Sequence, residues 1–452
     1  MNLLIQNGRI IDPSQGMDCI GDLLVADGKI AQIGSQTSRQ STVGNPGGVG
    51  DYRLSTIDYR LSVLQAQGMI VCPGFIDLHC HLRQPGFEEK ETIASGTMAA
   101  ARGGFTTVCC MPNTNPPIDT EAVVAQVQKI ATTQAVVRVL PIGCVTEGRR
   151  GKKLVRMSHL NNAGVVAFSD DGNPVWDCEI MRQALEQSKI LDVPIIDHCE
   201  DLTLSRIGSR QSAVGSPGER WGTIDYRLST IDFPAAAEER MIARDIELAR
   251  LTGGRLHIAH VSTAGAVELI RKAKIQGINL TAEVTPHHLT LTEQMVITRG
   301  TNAKVSPPLR TEKDRNALVD GLREGVIDVI ATDHAPHTEA DKARSFDQAP
   351  FGISGLETAL GSLMSLVHQG EIDLGTLVSR LTYQPAQIIR GSGLTGSLKI
   401  GSAADITIFD PDARWTVGPD RFASRGKNTP LAGMTLRGKV MVTIVAGVIA
   451  AV

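Results

Sequence analysis

Asp77-Leu78-His79-Cys80-His81 places a carboxylate and two imidazoles at alternate positions. In an extended strand that spacing puts all three on one face, with Leu78 and Cys80 on the other. Neutral imidazole is the commonest nitrogen ligand of zinc, and a pair at i and i+2 can share one ion without bending the backbone. For this motif alone, a pair of hydrogen-bonded core histidines is the alternative. Four more residues change the weighting: Asp171, His198, His260 and Asp333 each stand near the end of a separate short apolar run. Zinc usually takes about four ligands, so six such donors suit two ions with one carboxylate between them. Asp170 stands beside Asp171, and alternation does not choose between them. His257 is out of phase with His260, and His334 with Asp333, so packing is the expectation for both. Arg83 follows His81 by two residues on the same face, and its planar fork can hold a substrate carboxylate through two hydrogen bonds. A structural ion pair is its alternative.

These residues must be brought together by the elements that carry them. Eight β-rich apolar runs, 69–82, 105–114, 137–146, 165–172, 193–200, 255–262, 278–289 and 326–336, alternate with stretches of helical pattern. The clearest helical stretches are 238–252 and 263–275, and 355–369 follows the last run. Eight strand-helix units predict an α/β chain folded as a (β/α)8, TIM-like barrel. Most runs begin apolar and finish in His, Asp, Glu or Asn, so the polar ends converge on one mouth, where such barrels build their sites.

The flanks read differently. Residues 3–34 and 403–452 alternate around Gly and Asp turns, as antiparallel strands do. The expectation is a small β-sandwich domain made of 1–68 and 395–452 beside a barrel of 69–394. One feature lies outside this pattern: SRQSTVGNPG at 38–47 returns as SRQSAVGSPG at 209–218, and DYRLSTID at 51–58 returns at 225–232, so that 16 of 18 compared positions match. Neither copy shows a sustained period, which predicts two loop-like insertions, at about 37–62 and 208–233, rather than an architectural repeat.

Composition removes several classes of function. With 45 Lys and Arg against 48 Asp and Glu, the net charge of -3 offers no basic field for nucleic acid or an anionic membrane. The first ten residues lack a basic start and a long apolar stretch, and no apolar run approaches the roughly 18 residues that span a bilayer. Eight cysteines form no CxxC pair and sit mostly in apolar runs, the habit of buried thiols in a reducing compartment. A cytoplasmic enzyme acting on a small molecule is the expectation.

DLHCHLRQPG (77–86), MPNT (111–114), ATDHAPH (331–337), APFGISGLET (349–358) and GKNTPLAGM (426–434), in this order along eight strands, resemble the cyclic amidohydrolases, and class I dihydroorotases in particular. The resemblance runs through most of the chain and is interrupted at the two repeat copies. It implies that His79, His81, Asp171, His198, His260 and Asp333 hold one or two zinc ions, two being favoured, with Asp171 bridging. It also implies that Asp333 carries a proton from water to the leaving nitrogen, in the reversible cyclisation of N-carbamoyl-L-aspartate to L-dihydroorotate in pyrimidine (UMP) synthesis. Arg83, Asn113, Ser306, His337, Phe351 and Gly352 would bind substrate; Ser306 stands where the family commonly has Asn. A homo-oligomer, and a complex with aspartate transcarbamoylase, are partners the family allows.

Two kinds of rival remain. Hydantoinases, dihydropyrimidinases and allantoinases share the ring-amide chemistry but generally bridge their metals through a carbamylated lysine, and 165–172 contains none. A non-catalytic partner subunit of aspartate transcarbamoylase would typically lack metal ligands, whereas all six candidates are present here.

Overall fold

The computed structural model describes residues 2–35, 61–205 and 234–452; both repeat copies, 38–58 and 209–232, lie outside them. The N-terminal strands are β1 (Asn2–Asp12), β2 (Met17–Ala26), β3 (Lys29–Ser35), β4 (Leu61–Gln65) and β5 (Ile70–Pro73). Next come β6 (Phe75–Cys80), β7 (Phe105–Cys110), β8 (Arg138–Pro141), β9 (Ile195–Asp197), β10 (Leu256–Ile258), β11 (Leu280–Val284) and β12 (Val329–Ile330). Three C-terminal strands follow: β13 (Ile406–Thr416), β14 (Thr435–Val445) and β15 (Val448–Ala451).

Strands β6 to β12 are all parallel and form two ladders, β6-β7-β8 and β12-β11-β10-β9. The gap between them is spanned by the run at 165–172, which forms no strand but bridges to both sides through Phe168, paired with Gly143 and with Ile195. Cys80 pairs with His334 at the other seam, and His81 N–H donates to the His334 carbonyl at 2.8 Å. The barrel is therefore closed. Ile76, Leu78, Cys109, Ile142, Ala167, Ile196, Ala259 and Val329, drawn from the barrel strands, the residues that follow them and the run at 165–172, pack together with Ile388 and Ile389. The barrel thus has a packed core rather than a pore. Helices such as Glu121–Gln134, Ala264–Ile275 and Glu312–Glu324 begin on Thr120, Thr263 and Thr311, whose hydroxyls accept a first-turn N–H.

The first run divides at Gly74. Its opening half, β5, pairs with β1 and β13, and only its second half, β6, enters the barrel. Both halves are wholly buried, so no polar residue marks the division. One eight-stranded sheet takes strands from both chain ends in the order β15-β14-β13-β5-β1-β2-β3, with β4 also on β1. Leu3, Ile5, Leu23, Val25, Val71, Ile406 and Ile444 form its core. Phe409 of β13 meets Phe75 of the barrel at 6.3 Å between ring centres, and Phe75 meets Phe105 edge-on at 5.7 Å, so sheet and barrel share apolar contact. Gly104, at φ +90°, sits where a Cβ would lie 2.8 Å from the Phe75 ring and from Thr407 Cγ2. No helix among the described residues is long and apolar enough to cross a membrane.

Candidate active site

The C-terminal ends of the barrel strands, with the bridging run at 165–172, bring six side chains to one buried point. His79, His81, Asp171, His198, His260 and Asp333 are each no more than 7% exposed. Asp171 stands at the centre. Its Oδ1 lies 3.4 Å from His79 Nε2, 3.7 Å from His198 Nδ1 and 3.8 Å from His260 Nε2, and its Oδ2 lies 3.4 Å from His81 Nε2. Asp333 Oδ1 is 3.2 Å from His81 Nε2 and 3.6 Å from His79 Nε2. The donor atoms fall into two close groups, His79 with His81 and Asp171, and Asp171 with His198 and His260, and Asp171 belongs to both. The neighbouring Asp170 turns away and accepts from Val145 N–H (2.9 Å), Thr146 N–H and the Thr146 hydroxyl.

Hydrogen bonds aim the imidazoles. His79 donates through Nδ1 to Glu283 Oε1 at 2.6 Å, and His81 through Nδ1 to Asn113 Oδ1 at 2.8 Å, so both present Nε2 to the centre. Glu283 also accepts from His257 Nε2 at 3.1 Å and from His260 N–H at 3.3 Å. His257 is therefore not a packing residue, as its phase suggests, but the far support of Glu283. His334 likewise works through hydrogen bonds: its Nε2 meets Glu91 at 3.3 Å and its Nδ1 accepts Gly355 N–H at 3.1 Å. Asp77 does not join the imidazoles on its strand; it accepts from Thr332 N–H (2.8 Å) and the Thr332 hydroxyl (2.6 Å). The ladder slips between Asp77 and Cys80, which is why simple alternation misplaces it.

Electrostatics point the same way. Burial disfavours a charged His79, yet the fields of Asp171 and Glu283 hold its pKa well above the ordinary histidine value. His198, also against its burial, is held at about 10 by Asp171 and Glu200. Despite burial, the surrounding imidazoles keep Asp171 and Asp333 well below the usual carboxylate range. The centre thus attracts positive charge. His79 Nε2 is buried and makes no hydrogen bond, although it faces two carboxylates. Nitrogen and carboxylate donors so arranged, with one carboxylate common to two groups, fit a pair of zinc ions by ligand chemistry. His260 (φ +33°) and Asp333 (φ +45°) have left-handed backbones that non-glycine residues rarely adopt, a strain typical of functional positions.

Above this centre opens a cavity of about 330 Å³ lined by Arg83, Asn113, Ser306, His337, Phe351 and Gly352 together with His81, Asp171, His198, His260 and Asp333. Its size suits a small ring. Arg83 makes no ion pair within 4 Å among the described residues; its Nε donates to the Pro336 carbonyl at 3.3 Å. Its pKa falls to about 10, chiefly through burial. Burial, followed by the charges of Arg83 and Lys342, pushes His337 down to about 2, so the neutral ring donates through Nε2 to the Phe351 carbonyl at 2.8 Å. Asn113 both lines the cavity and holds His81. Glu200, beside His198 at 3.5 Å, also lines the cavity and was not singled out by the sequence argument. Nor was Glu283, although a lone acid inside the apolar run at 278–289 is a readable signal.

A closed parallel barrel with imidazoles and carboxylates gathered at its C-terminal mouth is the arrangement expected of the cyclic amidohydrolases that the motifs resemble. Two solved structures share the architecture over 99% of this chain and 95% of their own: an L-hydantoinase from Arthrobacter aurescens (TM-score 0.86, 25% identity) and a dihydropyrimidinase from Brevibacillus agri (TM-score 0.83, 24% identity). The family model described as dihydro-orotase-like matches residues 68–266. A dihydroorotase of Caldanaerobacter subterraneus subsp. tengcongensis is 47% identical over 448 residues, covering 99% of this chain and 96% of the relative. A dihydroorotase of Pelotomaculum thermopropionicum is 46% identical over 449 residues, covering 99% and 98%. The chain belongs to the dihydroorotase family.

Proposed function

We propose that this protein is a zinc-dependent dihydroorotase that interconverts N-carbamoyl-L-aspartate and L-dihydroorotate, the ring-closing step of pyrimidine (UMP) synthesis. The observation that carries the reading is the Asp171 carboxylate shared by two imidazole pairs beneath a cavity that also exposes the Arg83 guanidinium. His79, His81 and Asp333 would hold one zinc, His198 and His260 the other, with Asp171 between them. When bound, zinc supplies Lewis acidity that polarises the ring amide carbonyl and acidifies water.

The chain's own groups do the rest. Arg83 holds the ring carboxylate through its planar fork, which orients the amide over the centre. Asp333 is ionised, so its carboxylate accepts the proton that water loses as its oxygen forms a bond to the carbonyl carbon. As the carbon-nitrogen bond breaks, Asp333 returns that proton to the leaving ring nitrogen. Ring closure is the reverse: Asp333 takes the proton from the ureido nitrogen and gives it to the departing oxygen. Asn113 and Glu283 keep the two imidazoles of β6 and its following residues turned toward this chemistry. His337, neutral and tied to the Phe351 carbonyl, keeps the cavity wall from adding a further positive charge beside Arg83.

The deciding experiment compares turnover of dihydroorotate, hydantoin and dihydrouracil by the purified protein. Dihydroorotate is expected to be preferred by at least about a hundredfold, the scale of a lost charge-assisted contact to its carboxylate. Equal or faster turnover of hydantoin or dihydrouracil would assign the site to the hydantoinase branch instead.

A further inference from the structure

The segment Gly426-Lys427-Asn428 opens the GKNTPLAGM motif and takes part in none of the steps above. It lies in the C-terminal segment just before β14, yet it is built into the active-site wall. Asn428 is 4% exposed. Its Oδ1 accepts the His337 N–H at 2.9 Å, and its Nδ2 donates to the Ala335 carbonyl at 3.2 Å and the Gly352 carbonyl at 3.0 Å. Its own carbonyl accepts Ser354 N–H at 2.7 Å. The Ser354 hydroxyl donates to the Gly426 carbonyl at 2.8 Å, with Asn428 Oδ1 at 3.1 Å. Only one orientation of the amide satisfies this set, because two carbonyls need the NH2 group and an N–H needs the oxygen.

Close packing reinforces the hydrogen bonds. A Cβ at Gly426 would stand 2.5 Å from Pro336 Cβ, so glycine is what lets the strand of backbone lie against the loop. The Pro336 carbonyl in turn receives Arg83 Nε, and His337 reaches the Phe351 carbonyl. One side chain therefore joins the loop at 335–337 to the loop at 352–354, and these two loops form the cavity wall beside Arg83. No hydrogen bond links Asn428 to any of the six side chains at the centre among the described residues.

We infer that Asn428 is a positioning residue for substrate recognition: its amide fixes the two loops in the register that sets Arg83 and His337 around the ring carboxylate. The inference rests on the dihydroorotase reading and deepens it. Asn428→Ala strips partners from two buried carbonyls and a buried N–H. It is expected to raise KM for dihydroorotate by about tenfold to a hundredfold, the scale of an unsatisfied buried polar group, while kcat changes only a few-fold. Metal content should equal that of the wild type. Ser354→Ala removes only the hydroxyl bridge to Gly426 and is the milder companion, with a smaller rise in KM and an unchanged melting temperature within a few degrees. Both variants keeping wild-type KM, or losing kcat with KM constant, would overturn the inference while wild-type turnover of dihydroorotate left the functional reading standing. A wild type inert toward dihydroorotate would overturn both.

Discussion

Glu283 supports the geometry of the centre without lying in it, bonding both the His79 ring and the His260 backbone. It is fully buried, and burial opposes its charge, yet His79 and His257 hold its pKa at about 2. A carboxylate in that state holds the His79 ring by charge as well as by hydrogen bond, and such partners typically account for ten- to a hundredfold in metal affinity. Glu283→Gln keeps the shape and an acceptor oxygen but removes the charge. Zinc affinity, measured by competition with a chelator, is expected to fall by about tenfold to a hundredfold in this variant. An unchanged affinity would show that packing alone fixes the ring. His257 would have to turn its Nε2 into an acceptor for the new amide, which Thr281 permits because its hydroxyl, 2.8 Å from His257 Nδ1, can accept as well as donate.

At the scale of elements, the contact between sheet and barrel is testable through Phe409, which is fully buried against Phe75. Phe409→Ala is expected to cost about 3–5 kcal/mol of stability in denaturant unfolding. A loss below about 1 kcal/mol would show that the sheet docks without this ring. The elements also show what the sequence makes legible. Seven of the eight apolar runs contain a barrel strand, and all of these strands but β8 are largely buried. The eighth, 165–172, closes the ring by bridges alone, since the chain turns at Ser169-Asp170-Asp171 to accept N–H groups from the preceding loop. Alternation brought His79 and His81 together but misled at Asp77, where the ladder slips, and at His257, whose partner Glu283 sits on the adjoining strand. Asn428 falls inside the GKNTPLAGM motif, but its role has no local signal: it binds residues 76 and 91 positions away, through a loop with no period at all.

For the whole molecule, strands around the barrel and the C-terminal segment serve one arrangement, in which six side chains spread from 79 to 333 enclose a centre that favours positive charge. The C-terminal segment both completes the eight-stranded sheet and supplies Asn428 to the cavity wall, so the sheet is tied to the site rather than merely appended to it. The most direct measurement counts metal and turnover in one purified sample, before and after chelation and after zinc is restored. The expected result is roughly two zinc ions per chain, dihydroorotate turnover that disappears with them, and recovery on their return. Full turnover by the metal-free protein would contradict the account.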